Sequence, residues 1–335
     1  ILTTYLAPAL RILNPDLPEE AIQTALAELA RDRSAFTLVN ANHQVYDLLK
    51  DGVHVTYKDE SGIQTTETVH IVDWNRPENN HFLVVSQLNI LGEMYTRRPD
   101  LIGFVNGIPV LLIELKSPLE PVKKAYDDNL TDYKQTIPKL FWYTVLQLVS
   151  NGSETRLGTL TSPWEHFNRW KRVQDEDEPE QISLETAVEG TCRPGRFLDL
   201  LENFILFSEV KGEKRKILAK NHQYLGVENA FQSVQNRDEQ ASSLGVFWHT
   251  QGSGKSFSMI FLAQKIFRKL PGNWTFVIVT DRIDLDNQIY KNFAGAGAVT
   301  EPEETIHARN GAHLQQLLRA DHRYIFTLIQ KFTIP

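Results

Sequence analysis

Two groups of residues in this chain have the types and spacing for chemistry on phosphates. The first is Gly252-Ser253-Gly254-Lys255-Ser256, set between the apolar strand pattern LGVFW and the apolar helix pattern SFSMIFLAQKIF. Glycines let backbone amides approach a phosphate, and a helix N-terminus adds partial positive charge. Lys255 would reach the terminal phosphates of ATP, and Ser256 would offer its hydroxyl to the accompanying Mg²⁺. His249 stands where the general pattern has its first glycine.

The second group is Asp100, Glu114 and Lys116 in RRPDLIGFVNGIPVLLIELKSP, with Asn106-Gly107 where a hairpin turn belongs. Alternation along a strand puts Glu114 and Lys116 on one face and Leu111, Ile113 and Leu115 on the other. The register decides whether Asp100 joins them. A two-residue turn at Asn106-Gly107 pairs Asp100 with Ile113 and sends its carboxylate to the wrong face. A three-residue connection, Val105 to Gly107 with the glycine in a bulge, pairs Asp100 with Leu112, diagonal to Glu114. A site requires the second arrangement. Two convergent carboxylates would then hold Mg²⁺ through hard oxygens, lowering the pKa of a water and stabilising charge on a scissile phosphate. Lys116 would position that water or neutralise the transition state. Spacing alone equally allows a structural role, with Asp100 capping a strand and Glu114-Lys116 guarding a sheet edge.

The elements that must position these groups follow from periodicity. A helix is expected from near Pro18 through EEAIQTALAELA, capped by Asn14 or Asp16 and opening the first domain. Residues 53–72 alternate as a hairpin about Ser61-Gly62, and HFLVVSQL reads as a further strand. The acidic run QDEDEPE is expected to be a linker or exposed loop. Beyond it GRFLDLLENFILF reads as an apolar helix, and LGVFW, TFVIVT and YIFTLIQ read as buried strands of a parallel sheet with helices between them.

Composition narrows the class. The 335 residues exceed what one core usually serves, domains running to roughly 100–200 residues, so two domains are expected. A hydrophobic fraction of 41% with 23% charged residues excludes a disordered chain or a fibre. No apolar stretch is long enough to span a bilayer, and the N-terminal residues lack a signal-peptide pattern, so no membrane partner is expected. One cysteine, Cys192, forms no intrachain disulfide, which points to a reducing, cytoplasmic interior. The net charge of −7 argues against bulk coating of DNA but not against a basic groove.

An Asp, a strand turn and then Glu-x-Lys inside an apolar strand resembles the PD-(D/E)xK nuclease core. RPDLIGFVNGIPVLLIELKSP looks like the form found in restriction subunits of type I restriction enzymes. The glycine loop resembles that of superfamily 2 helicases, which those subunits use as DNA motors. The resemblance implies an α/β chain with a PD-(D/E)xK endonuclease domain over 1–170, an acidic and helical connection over 171–205, and a first RecA-like ATPase lobe over 206–335. It further implies a nuclease-supporting Gln-x-x-x-Tyr pair, here Asn129 and Tyr133, with Asn one methylene short of the family's Gln. Gln223 in KNHQYLGVENA would read adenine, and Thr280 and Arg282 in VIVTDRIDLDNQ would face DNA phosphates. The implied cofactors are Mg²⁺ and ATP. The implied partners are double-stranded DNA and the methyltransferase and specificity subunits of a prokaryotic, cytoplasmic complex.

Such a motor needs an acidic pair after an apolar strand. None follows Ser256 in that context, so the lobe is expected to be truncated before it and the isolated chain not to translocate. Nuclease-before-motor order favours type I over type III systems. The rival readings are a non-cutting DNA-dependent motor whose first domain only docks DNA or a partner, and an ATP-gated interaction module.

Overall fold

The computed structural model describes residues 1–59, 61–210, 212–237 and 243–332. The chain divides into two compact units, residues 1–205 with 215–221, and residues 206–214 with 222–335.

The first unit opens with α1 (Thr3–Leu13), α2 (Glu19–Ala30) and α3 (Leu38–Asp51). The helix expected from Pro18 is therefore the second, not the first. Its N-cap is Pro18, with no side-chain cap. Asn14 instead ends α1, its side chain donating to the carbonyls of Leu10 and His70 and accepting from the His70 N–H. A hairpin follows, β1 (Val53–Lys58) and β2 (Gln64–Val69), as the alternation around Ser61-Gly62 indicates.

Five strands then build the sheet that carries the first chemical group. They are β3 (Phe82–Ser86), β6 (Leu101–Val105), β7 (Ile108–Leu115), β8 (Leu146–Ser150) and β9 (Thr155–Gly158), in that spatial order. Between β3 and β6 lies a small separate hairpin, β4 (Ile90–Leu91) and β5 (Thr96–Arg97). The β7–β8 pair is parallel and the other pairs of the five-stranded sheet are antiparallel. A parallel pair cannot be joined by a tight turn and needs a crossover. Here the crossover is a π-helical turn over Ala125–Leu130, then α4 (Thr131–Thr136) and α5 (Pro138–Phe141). Its residues Val122, Ala125, Leu130, Tyr133 and Ile137 are buried with Ile102, Leu112 and Val149 of the sheet in one apolar core. Burial of that stripe holds the crossover on the face that bears Glu114.

The expected acidic linker makes an exposed turn in which the Glu178 carboxylate accepts from the N–H groups of Val173 and Gln174. Two helices follow, α6 (Leu184–Thr191) and α7 (Pro194–Asn203), then β10 (Ile205–Val210) and β11 (Glu213–Leu218). The helix expected over GRFLDLLENFILF thus stops at Asn203, and its ILF tail is strand. The β-branched Ile205 and aromatic Phe207 suit a pleated, buried surface better than a helix end.

In the second unit α8 (Asn221–Gln235) precedes the glycine loop and α9 (Lys255–Lys269) follows it. The unit continues with β12 (Phe276–Thr280), α10 (Ile283–Gly295), α11 (Glu303–Ile306), α12 (Gly311–Arg319) and β13 (Tyr324–Leu328). β12 and β13 pair in parallel, matching the two later strand patterns. The expected strand LGVFW does not form. Residues 243–250 run without a ladder, with Val246 and Trp248 exposed while Phe247 lies against Gly226 of α8. Alternation marks residues that can pleat, but a strand exists only where a neighbour accepts its backbone hydrogen bonds.

Candidate functional site

The β6–β7 hairpin closes at Asn106-Gly107, with Val105 paired to Ile108 and φ values of 50° and 81° at the two turn residues. These positive angles are those of the primed turn that suits the twist of paired strands. The turn therefore has two residues, not the three that a site had required. The register shifts instead inside the hairpin, where Gly103 pairs with Leu111 and Phe104 with Pro109, leaving Val110 as the extra residue of a bulge. Beyond it Leu101 pairs with Ile113, so Asp100 falls opposite Glu114 rather than opposite Leu112.

β7 is an interior strand, and Glu114 on it is only 3% exposed. Asp100 lies just beyond β6, where its Oδ2 accepts from the Leu115 N–H at 2.8 Å and its Oδ1 from Gln87 Nε2 at 2.8 Å. The Asp100 N–H points at Glu114 Oε2 at 3.5 Å. Lys116 Nζ stands 3.9 Å from Glu114 Oε1. From the crossover, the Tyr133 hydroxyl donates towards both Glu114 oxygens at 3.3 Å, and Asn129 Nδ2 donates to that hydroxyl at 3.3 Å. Asp100, Lys116 and Tyr133 thus meet around the Glu114 carboxylate, with Asn129 behind Tyr133.

Burial above all, and then the neighbouring Asp100 charge, push the Glu114 carboxyl up to about 7, against the pull of the Asp100 N–H, Lys116 and Tyr133. Burial beside the same carboxylates pushes the Tyr133 phenol to about 12, so it remains a donor. A desolvated carboxylate next to a second one calls for positive charge, and Lys116 is one cation against two acids. Among the described residues no three His, Cys, Asp or Glu cluster as a metal cage. Two carboxylates with the remaining positions left to water and phosphate is the donor set that suits Mg²⁺, which dehydrates reluctantly.

The second constellation centres on the loop before α9. Gly252 and Gly254 have φ values of 79° and 88°, which a side chain would strain, and Gly254 is the N-cap of α9. Lys255 starts the helix and folds back, its Nζ donating to the carbonyls of His249 at 2.7 Å and Thr250 at 3.0 Å. Ser253 turns its carbonyl to His222 Nε2 at 3.1 Å, and Ser256 sits half-buried in the first helical turn.

Residues 1–166 match the family model described as type I restriction enzyme R protein N terminus, and residues 222–335 match that of the SWI2/SNF2 ATPase. The type I restriction enzyme HindI endonuclease subunit of Haemophilus influenzae is 36% identical over 100% of this chain and 33% of its own length. This chain belongs to the restriction-subunit family of type I restriction enzymes. A Methanocaldococcus jannaschii protein provisionally named the type I restriction enzyme MjaIXP endonuclease subunit is 31% identical over 99% of the chain and 34% of its own length. The type I restriction enzyme SsaAORF53P endonuclease subunit of Staphylococcus saprophyticus is 24% identical over 85% of the chain and 29% of its own length. The restriction-subunit chain in hand spans about a third of the length of these first two relatives.

The other residues singled out in this restriction-subunit chain are placed less simply. Gln223 is buried beneath the glycine loop, where its Nε2 donates to the Gly254 carbonyl at 2.9 Å. Thr280 and Arg282 do not share a surface. Thr280 is buried at the end of β12 with its hydroxyl donating to Asp286 Oδ1 at 3.2 Å, whereas Arg282 is exposed beside Asp281. The strand end beneath Thr280 is covered because α10 brings Asp286 back over it. Sequence reasoning also missed Gln87, which orients Asp100 from the end of β3 at a φ of 54°. No periodicity marks it. The bulge did leave a signal: Pro109 has no N–H to give a ladder, and prolines inside sheets gather at bulges. Among the described residues no helix is long and apolar enough to cross a membrane.

Proposed function

We propose that residues 1–170 form a PD-(D/E)xK endonuclease domain, joined through 171–205 to a nucleotide-binding, RecA-like motor lobe over 206–335. The whole protein would cut double-stranded DNA with Mg²⁺ after ATP-driven translocation, bound to methyltransferase and specificity subunits. The observation that carries this reading is the bulge at Val110, which turns Asp100 to the face of Glu114 and Lys116 and has no use in an edge-guarding hairpin.

Asp100 and Glu114 would hold the metal, which when bound supplies a water of lowered pKa and positive charge at the scissile phosphate. The protein's own groups do the rest. Gln87 and the Leu115 N–H fix the Asp100 carboxylate through both its oxygens. Tyr133, held in turn by Asn129, orients Glu114, so both carboxylates are set before a phosphate arrives. Lys116 brings a cation to the same face, placed to orient a nucleophilic water or offset charge on a phosphate oxygen. In the second unit Lys255 would exchange the carbonyls of His249 and Thr250 for the phosphates of ATP, with Ser256 beside their Mg²⁺.

Calorimetric titration of Mg²⁺ into the chain and into Glu114→Ala, followed by plasmid cleavage at high enzyme concentration, tests the nuclease. Binding and cleavage are expected for the wild type and neither for the variant. Equal binding by both would return Asp100, Glu114 and Lys116 to a structural role.

A further inference from the structure

The chain enters Asp100 through the small hairpin of β4 and β5, in which Ile90 pairs with Arg97 and Leu91 with Thr96. Its turn is closed by the Gly92 N–H donating to the Tyr95 carbonyl at 2.8 Å. The tip leaves its apolar side chains in solvent: Leu91 is 83% exposed, Met94 82% and Tyr95 53%. Single exposed apolar residues are ordinary. Here three stand on one tip, with the Arg97 guanidinium 5.0 Å from the Tyr95 ring centre.

The hairpin is nevertheless firmly held. Gly92 is packed so closely on α4 that a Cβ there would lie 2.0 Å from the Thr136 carbonyl oxygen. Arg97 gives both Asp132 oxygens a hydrogen bond, Nε to Oδ2 at 2.5 Å and Nη2 to Oδ1 at 2.9 Å. The same helix carries Tyr133, which holds Glu114. On the other side only Arg98-Pro99 separates Arg97 from Asp100. The exposed tip and the carboxylate pair are thus tied together through one helix and one short run of chain.

We infer that this hairpin is a wedge for double-stranded DNA, with Leu91, Met94 and Tyr95 pressed into a groove to fix the duplex over Asp100 and Glu114. The inference rests on the proposed reading of that pair as a DNA-cutting site. Apolar side chains on a rigid support unstack a base step and bend the duplex, and an aromatic ring accepts the face of any base. Such contact responds to how easily DNA deforms more than to base identity. Exposed Arg98 follows at the base of the hairpin, while Glu93 at the tip opposes the phosphates.

The test uses the full chain without divalent metal, a short fluorescein-labelled duplex and a second duplex carrying 2-aminopurine. Wild type is expected to bind and to raise the 2-aminopurine signal as stacking is lost. Replacing Leu91, Met94 and Tyr95 together by serine should weaken duplex binding about tenfold and abolish the rise, with Mg²⁺ binding unchanged. Glu93→Gln should tighten binding about threefold, a gain that a merely structural tip would not give. Unchanged affinity in the serine variant, or no duplex binding by the wild type, overturns the wedge. The two readings fail separately. A chain that binds Mg²⁺ through Glu114 but ignores the tip substitutions keeps the carboxylate site and loses the wedge. Duplex binding that depends on the tip while Glu114→Ala leaves Mg²⁺ binding intact does the reverse.

Discussion

Glu114 is the residue on which most of the first unit's candidate site groups converge. Its carboxyl, pushed up to about 7 chiefly by burial and then by Asp100, belongs to the metal-free chain. A group whose folded pKa lies above the unfolded 4.5 stabilises the fold fully below about pH 4.5, and that contribution is lost as pH rises through about 7. In chelator, wild type should therefore lose up to about 3 kcal/mol across this window relative to Glu114→Gln, which cannot titrate. Thermal melts of the two proteins from acid to neutral pH check this. Parallel curves would mean that Glu114 is not held in so costly a place. Mg²⁺ added at neutral pH should raise the midpoint of the wild type and leave the variant's where it was. The chemical identities at this site were legible in the sequence, because Asp, Glu and Lys among aliphatics have few uses. Gln87 was not, since its role depends on where the end of β3 lies beside Asp100, a relation between segments far apart in the chain.

Among the elements, the β6–β7 hairpin shows what pattern can and cannot decide. Asn106-Gly107 announces a two-residue turn, and the turn is there. The bulge at Val110 shifts everything beyond it by one residue and so reverses which face Asp100 meets. Pattern reasoning placed that one-residue shift in the loop, and it lies in the strand. Likewise LGVFW has the apolar pattern of a strand without the pairing, because pairing depends on a neighbour and not on the segment itself. Asn106 does more than turn the chain. It is buried, its Nδ2 donates to the Ile71 carbonyl at 2.8 Å and Asn80 Oδ1 at 2.9 Å, and its Oδ1 accepts from the His81 N–H at 2.7 Å. Asn106→Ala strands those partners and keeps a positive φ on a residue that resists it, and it should cost about 3 kcal/mol in urea unfolding. Asn106→Gly relieves the backbone cost alone and should recover about 1 kcal/mol of it. Equal losses in the two variants would place the whole effect in the hydrogen bonds.

At the scale of the whole chain, each constellation is assembled from one unit. Gln87, Asp100, Glu114, Lys116, Asn129 and Tyr133 all lie within residues 1–205, and Gln223 with the 252–256 loop lies within the second unit. Substitutions at sites with no shared partners act additively to within about 0.5 kcal/mol. Lys255→Ala should therefore weaken nucleotide binding while leaving calorimetric Mg²⁺ binding at Glu114 unchanged in a nucleotide-free titration. Glu114→Ala should do the converse, with nucleotide affinity held by Lys255 and Ser256. Loss of both activities in either single variant would show that the two sites share an ordering step in this chain. Independence would mean that, on the proposed reading, nucleotide use and cutting are coupled by something other than a shared ordering step in this chain.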